Sequence, residues 1–568
     1  MKLKTTMLGA VAAIALAPAA FAERGSDGNV NIIYWQAVST MNPYLSGGTK
    51  EIEVSSLVIE PLAGYDENGT LIPRLVTEIP TLENGGVSED LTTITWKLKP
   101  DLKWSDGTPV TAEDAVFTAN YCMDPNGGCA QLARYEGVQK VEAVDPLTVR
   151  ITFNAPKPNP YLPFTGATSP LLQKAQFENC TGAAASTCTD QNFNPIGTGP
   201  FRVTSFRTND VVTMEANPNY RDPAKPAFAT ATVKGGGDAA AAARSVLETG
   251  EYDFAWNTQI SPEVQAQMEA GGKGEFVVAF GSLVERIEMN LSNPSPSLPA
   301  DVRSTPAEPH PILSDERVRR ALSMAIDRNI LNELGYGKSG RPTCNLVPAP
   351  AIYVDETNTD CLTQDIEGAK ALLEEAGWTV GSDGIREKDG MKLRLLYQTS
   401  VNAVRQDTQA VVKQWWSEIG VDTELKQVDG SVFFGGDAGS PDTIQKFYAD
   451  VEMYANNFDG TDPEAYLAEH TCEKIPTPAT QWQGENYNRY CDPEYDKLMA
   501  ELSSTADPEE RGALAARLNN MLTKDSMVVV PLIDRGRLSA KSNTLGGHVM
   551  NAWDSELWNA SDWFRIKQ

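Results

Sequence analysis

Residues Trp96 to Tyr121 read WKLKPDLKWSDGTPVTAEDAVFTANY, a strand end, a turn and the start of a helix in immediate succession. From Leu91 to Leu98 (LTTITWKL), apolar and polar side chains alternate with the two-residue period of a half-buried strand. Ser105-Asp106-Gly107-Thr108-Pro109 has turn chemistry. Thr111 then precedes AEDAVFTANY, and Asp114 stands at the fourth position of a capping box, which fixes where the helix begins. Outward from this unit, Asn29–Tyr34 (NVNIIY) and Thr148–Phe153 (TVRITF) read as strands, and Ala239–Leu247 as a helix before a strand at Tyr252–Trp256. Amphipathic helices are predicted over Asp315–Ile330 and Asp365–Ala376. Leu393–Tyr397, Val404–Ile419 and Val421–Val428 alternate strand, helix and strand, the mark of an α/β lobe. Ser292 to Pro311, rich in Pro and Ser, reads as a link between lobes.

The chain is 568 residues long, with 48 Lys and Arg against 76 Asp and Glu, a net charge of -28. Such a surface repels nucleic acid and anionic membranes, so neither is an expected partner. Residues 1–22 join a Lys2/Lys4 start, an apolar run from Met7 to Ala17 and an Ala20-Phe21-Ala22 cut site, the pattern of a cleaved secretory signal peptide. The next residue is Glu23 and not Cys, so no lipid anchor is expected and a periplasmic location is.

Eight cysteines fall into neighbouring pairs, Cys122/Cys129, Cys180/Cys188, Cys344/Cys361 and Cys472/Cys491. An even count in an exported chain points to disulfides, and loops rich in Gly, Asn, Pro and Asp favour closure between nearest neighbours. Zinc is the competing reading, but these spacings exceed the usual C-x₂₋₄-C and only His310, His470 and His548 could assist. Catalytic motifs are missing: no G-x-S-x-G elbow, no H-E-x-x-H helix and no Walker loop. The acid pairs Glu374/Glu375 and Glu509/Glu510 read as solvated helix faces, Gly235-Gly236-Gly237-Asp238 as a strand-to-helix turn, and Asp383-Gly384 and Asp389-Gly390 as turns between strands. Neither a cofactor nor a metal is expected.

The Trp96–Tyr121 string closely resembles the signature of the peptide-binding solute receptors of ABC transporters, the oligopeptide, dipeptide and nickel group (solute-binding family 5). Leu57–Pro80, Gly197-Thr198-Gly199-Pro200-Phe201, Asn217-Pro218-Asn219-Tyr220, Asp315–Asp327 (DERVRRALSMAID) and Gly368–Trp378 (GAKALLEEAGW) follow in the family's order. The resemblance implies a two-lobed α/β clamshell of the cluster C type with a small domain inserted in the first lobe. Its layout would be lobe I over 23–66, 199–292 and 536–568, the insert over 67–198 and lobe II over 293–535, with hinge crossings near Asn290–Pro294 and Asp534–Leu538. It also implies a monomeric, non-enzymatic receptor that closes on a peptide or peptide-like ligand and delivers it to a membrane permease with its ATPases.

The family's amine-anchoring W-x-x-D-x-x-x-P stretch corresponds to Asn456-Asn457-Phe458-Asp459-Gly460-Thr461-Asp462-Pro463. Asp459 is kept, Asn456 replaces the tryptophan, and Phe458 would supply any aromatic wall. The family's dipeptide receptors carry a carboxylate-binding arginine just before the helix that here begins near Val404. Tyr397-Gln398-Thr399-Ser400 has none, and Arg405 lies inside the helix. Oligopeptides are therefore the expected ligand, with an opine or an oligosaccharide as the alternative within the fold and a secreted hydrolase as the remote one.

Overall fold

The computed structural model describes residues 23–434, 439–458 and 460–567. The predicted signal segment, residues 1–22, and Asp459 lie outside the described residues.

Two sheets organise the molecule. The seven-stranded one runs, edge to edge, Gly274–Ala279, Arg537–Ser542, Phe254–Trp256, Asn29–Tyr34, Thr230–Gly235, Val211–Ala216 and Phe201–Arg207. Asn29–Tyr34 is parallel to both of its neighbours, and its residues alternate between half-buried and buried. The six-stranded sheet runs Gly340–Pro342, Val529–Arg535, Val284–Met289, Val451–Asn456, Arg394–Ser400 and Asp422–Val428. Its last two strands are parallel and joined by the helix Ala403–Glu418, the predicted α/β unit. A three-stranded sheet of Thr93–Lys97, Thr148–Phe153 and Val138–Asp145 packs on the helix Ala112–Met123. Asp114 takes the N–H of Thr111 at 2.9 Å, so the expected reciprocal cap starts that helix. Segment 67–198 thus builds its own sheet, yet Trp96, Trp104 and Ile151 share one apolar core with Val30 and Ile32 of the seven-stranded sheet. A second core, containing Leu322, Leu395, Trp416 and Met453, fills one face of the six-stranded sheet.

Two expectations need correction. The helix predicted over Asp315–Ile330 is two helices, Glu316–Met324 and Arg328–Gly335. Asp327 separates them, because its carboxylate accepts the N–H groups of Asn329 and Ile330 and restarts the turn. The first passage between the sheets is also earlier than Asn290–Pro294. Val284–Met289, placed in lobe I by the 199–292 boundary, pairs with Val451–Asn456 and Val529–Arg535 inside the second sheet. The chain therefore crosses at residues 280–283 and returns at Gly536, between Arg535 and Arg537. A Cβ on Gly536 would lie 2.5 Å from Val278 Cγ1 and 3.2 Å from the Ser339 carbonyl, so the return passage fits between these two residues only because it is glycine.

The neighbouring cysteines are joined as disulfides, Cys122–Cys129, Cys180–Cys188, Cys344–Cys361 and Cys472–Cys491, and among the described residues no cysteine is free. Cys122 is buried near the end of the helix Ala112–Met123, and its bridge ties that helix to the half-buried Cys129 in the following loop. Cys344 is buried just after the strand Gly340–Pro342, and its bridge holds the half-buried Cys361 in the single turn Asp360–Leu362. With their sulfurs bonded to each other, these residues are staples and not ligands of zinc. Among the described residues, no helix is long and apolar enough to cross a membrane and no group of three or more His, Cys, Asp or Glu is placed to hold a metal ion.

Candidate functional site: the cleft between the lobes

Val284–Met289 (VERIEM) is buried at every position although three of its six residues are charged. The register explains how. Arg286 stands opposite Tyr454 and Glu288 opposite Glu452, so these four side chains share the face turned away from the helical core. A fully buried guanidinium is tolerable only when paired and hydrogen-bonded. Arg286 donates to Glu288 at 2.7 Å, to the Tyr454 hydroxyl at 2.6 Å and to the Tyr466 hydroxyl, and it lies over both tyrosine rings. Asn488 binds the second oxygen of Glu288 at 2.8 Å.

Glu469 lies beside this group, half-buried, with Asn456 donating to it at 3.3 Å. Burial pushes its carboxyl up to about 8; Arg286 and Arg134 work against that rise, and Glu485 and Glu288 add to it. Arg134 belongs to the 67–198 segment, so the charge of that segment reaches Glu469. Deeper on the same face, Glu452 accepts from Gln398 through one oxygen at 2.8 Å, while its other oxygen has no partner among the described residues. Burial drives that carboxyl well above the ordinary range. Both ring nitrogens of His470 also lack partners, and burial, reinforced by Arg286, drops the imidazole to about 3, so it is neutral.

The segment after strand Val451–Asn456 touches both lobes. Phe458 is clipped to the crossing segment: its N–H donates to the Ser282 hydroxyl at 3.1 Å, and that hydroxyl donates to its carbonyl at 2.7 Å. Its ring packs on Tyr466 in a core with Leu346 and Tyr490. The Asn457 side chain makes only a 3.4 Å contact with the Phe458 carbonyl and is half-buried. Gly460 donates to the Trp553 carbonyl of the first lobe at 3.1 Å. Asp462 caps the next helix by accepting from Glu464 N–H at 3.0 Å and binds Arg511 at 2.7 Å. Glu464 pairs with Lys157 across the gap.

Arg405 takes no part in the cleft's polar face. It is bound to Glu285 at 2.7 Å and to Ser400 at 2.7 Å on the other side of the strand. Of the sequence-predicted residues, then, Asn456 ends the strand Val451–Asn456 and donates to Glu469, Asn457 is half-buried and Phe458 is packed in a core with Tyr466. The composition of VERIEM, charged on both faces of a central strand, was the signal for Arg286 and Glu288. Nothing local marks Glu469 or Arg134.

In this two-lobed α/β molecule, Gly460 and Glu464, which follow the strand Val451–Asn456, reach Trp553 of the first lobe and Lys157 of the 67–198 segment. The chain belongs to the bacterial extracellular solute-binding proteins, family 5, whose model matches residues 70–474. These are the solute-binding components of ABC transporters, and they are not enzymes. It is 25% identical over 544 residues to the glutathione-binding protein GsiB of Shigella dysenteriae, covering 95% of this chain and 94% of that one. Among solved structures, the oligopeptide-binding protein AppA from Bacillus subtilis, in complex with a nonapeptide, superposes with a TM-score of 0.78 at 22% identity, over 96% of this chain and all of that one. NikZ from Campylobacter jejuni, in complex with Ni(L-His), matches with a TM-score of 0.78 at 21% identity, over 94% of this chain and 99% of that one.

Proposed function

We propose that this protein is a periplasmic receptor that captures oligopeptides by closing its lobes and hands them to an inner-membrane permease with its ATPases. The observation that carries this reading is the segment 456–464, which meets Ser282 at the crossing, Trp553 in the first lobe and Lys157 in the 67–198 segment. A ligand held there would bridge the lobes, and only affinity greater for the closed form than for the open one can close them. Relatives that bind glutathione and a nonapeptide support the peptide class. The layout in this reading is lobe I over 23–66, 199–279 and 537–568, an insert over 67–198, and lobe II over 284–535. A leader ending at Ala22 would make the mature chain start at Glu23, and N-terminal sequencing of periplasmic extract checks it.

Asp459 is the ligand-amine anchor in this reading. Its carboxylate would accept charge-assisted hydrogen bonds from an ammonium that closure removes from water. Asp459→Asn should weaken tetraalanine by about 2–5 kcal/mol. N-acetyl-tetraalanine should bind the wild type poorly and lose little more in the variant. Titration calorimetry on both proteins with both peptides forms a double cycle. A coupling near zero with intact folding would remove Asp459 as the anchor and favour a ligand without an ammonium.

A further inference from the structure

We infer that the polar face of the second sheet receives a cationic side chain of the bound peptide, a lysine ammonium or an arginine guanidinium, and that Glu469 is the carboxylate that meets it. This rests on the peptide reading above.

The charges already present leave this opening. Arg286 is committed to Glu288 and two tyrosine hydroxyls. Arg489, the other buried cation nearby, donates to the carbonyls of Ser304, Gln445, Lys446 and Tyr487 and to no carboxylate. Glu452 keeps one buried oxygen without a partner among the described residues, and the strand register puts it on the same face as Glu288. His470, neutral beside Arg286, leaves two ring nitrogens likewise unpartnered. Unmet polar groups in a buried site are costly, and a ligand bringing hydrogen-bonding groups and positive charge relieves that cost. An anionic side chain would meet Glu469, Glu485 and Glu288 instead.

Access also favours Glu469. It is half-buried while Arg286, Tyr454 and Tyr466 are closed over. Asn456, at the strand end where the family's tryptophan would stand, is a small amide that donates to it at 3.3 Å. The groups facing Glu469 are Arg286, Glu288 and Glu485 from the second lobe and Arg134 from the first. Burial first, with Glu485 and Glu288 adding to it against Arg286 and Arg134, lifts its carboxyl to about 8, so it holds its proton at neutral pH. A cation seated beside it stabilises the carboxylate, and the proton leaves for the buffer. Capture of a cationic peptide therefore releases a proton, and capture of a neutral one does not.

The test uses full-length mature protein freed of ligand by unfolding and refolding, mixed with a tetrapeptide pool randomised at every position. Retained peptides are sequenced by mass spectrometry. The expected result is enrichment of Lys and Arg by about tenfold over the pool, lost in Glu469→Gln. One retained lysine peptide and its norleucine counterpart are then titrated at neutral pH in two buffers of different ionisation enthalpy. Roughly one proton should be released by the lysine peptide and none by the norleucine peptide. Retention without Lys or Arg enrichment, enrichment that survives Glu469→Gln, or equal proton numbers for the two peptides overturns this inference and leaves the peptide reading standing. Retention of no peptide overturns that reading and this inference with it.

Discussion

Lys157 and Glu464 stand 2.8 Å apart across the gap between the lobes, one from the segment beside the three-stranded sheet and the other from the helix Glu464–Ala468. Burial pushes the Glu464 carboxyl up, but Lys157 and Arg511 outweigh it and hold the group below the ordinary carboxylate range. A carboxylate lowered in this way contributes fully above its ordinary value, and its contribution is lost as pH falls through the lowered one. Glu464→Gln should remove about 1–3 kcal/mol from the apposed arrangement at neutral pH. Small-angle scattering should then show a larger radius of gyration for the variant, and a similar expansion of the wild type only in acid. Equal radii for the two proteins at neutral pH would show that the pair does not hold the lobes together.

Gly460 offers a steric version of the same test. Its φ is +73° and an added Cβ would lie 2.6 Å from the Tyr65 hydroxyl. Gly460→Ala should cost more than the ~1 kcal/mol typical of a strained left-handed position, because the tyrosine must also move. Peptide affinity should fall more than thermal stability does, and calorimetry beside a melting curve separates the two.

Glu53 gives the first lobe an unusual pH response. It is buried, accepting from the Ser555 hydroxyl and the Glu556 N–H at 2.7 Å each, with Arg537 at 3.5 Å. Burial first, and then Glu556, lifts its carboxyl to about 8. Between the ordinary carboxylate value and about 8, the folded protein keeps a proton that the unfolded chain has released, so stability falls as pH rises through that window. Glu53→Gln keeps an acceptor for both donors and removes the titration. Its melting temperature should decline less steeply over this window, and a parallel decline would assign the effect to Glu556 instead.

The Cys472–Cys491 bridge closes a loop of sequence separation 19 that includes Glu485 and begins three residues after Glu469. Replacing both cysteines by serine should cost about 3 kcal/mol of stability. It should also weaken peptide binding more than loss of the Cys180–Cys188 bridge, which lies in the first lobe away from Glu469. Paired melting and binding measurements on the two double variants check the contrast.

Elements governed by local rules were readable in the chain. Alternation announced the strand within Leu91–Leu98, β-prone composition announced Asn29–Tyr34 and Thr148–Phe153, and Thr111 with Asp114 marked the start of a helix. The bridges Cys122–Cys129 and Cys344–Cys361 were readable for the same reason, since each closes a short stretch of chain on its nearest cysteine. Asp327 illustrates a limit, because amphipathic periodicity continues through it while its carboxylate divides the helix. The early crossing was missed for a different reason: the composition of Val284–Met289 does not say which sheet it joins, and only its partners tell which sheet owns it. The cleft was least legible. The charge of Arg134 reaches Glu469 only through the fold, and no spacing along the chain encodes that proximity.

The strand Arg537–Ser542 lies inside the seven-stranded sheet, between Gly274–Ala279 and Phe254–Trp256. Every strand of the second sheet, by contrast, falls between Val284 and Arg535. A ribosome therefore finishes all the strands of the second sheet before supplying the piece that joins Gly274–Ala279 to the first. During synthesis the earlier-made half waits with strand edges unpaired, the condition that invites chaperone capture or aggregation. Vectorial production thus inverts the order of assembly relative to the order of the sequence, and a nascent chain stalled before Arg537 would carry a complete set of strands for one sheet and an open one for the other.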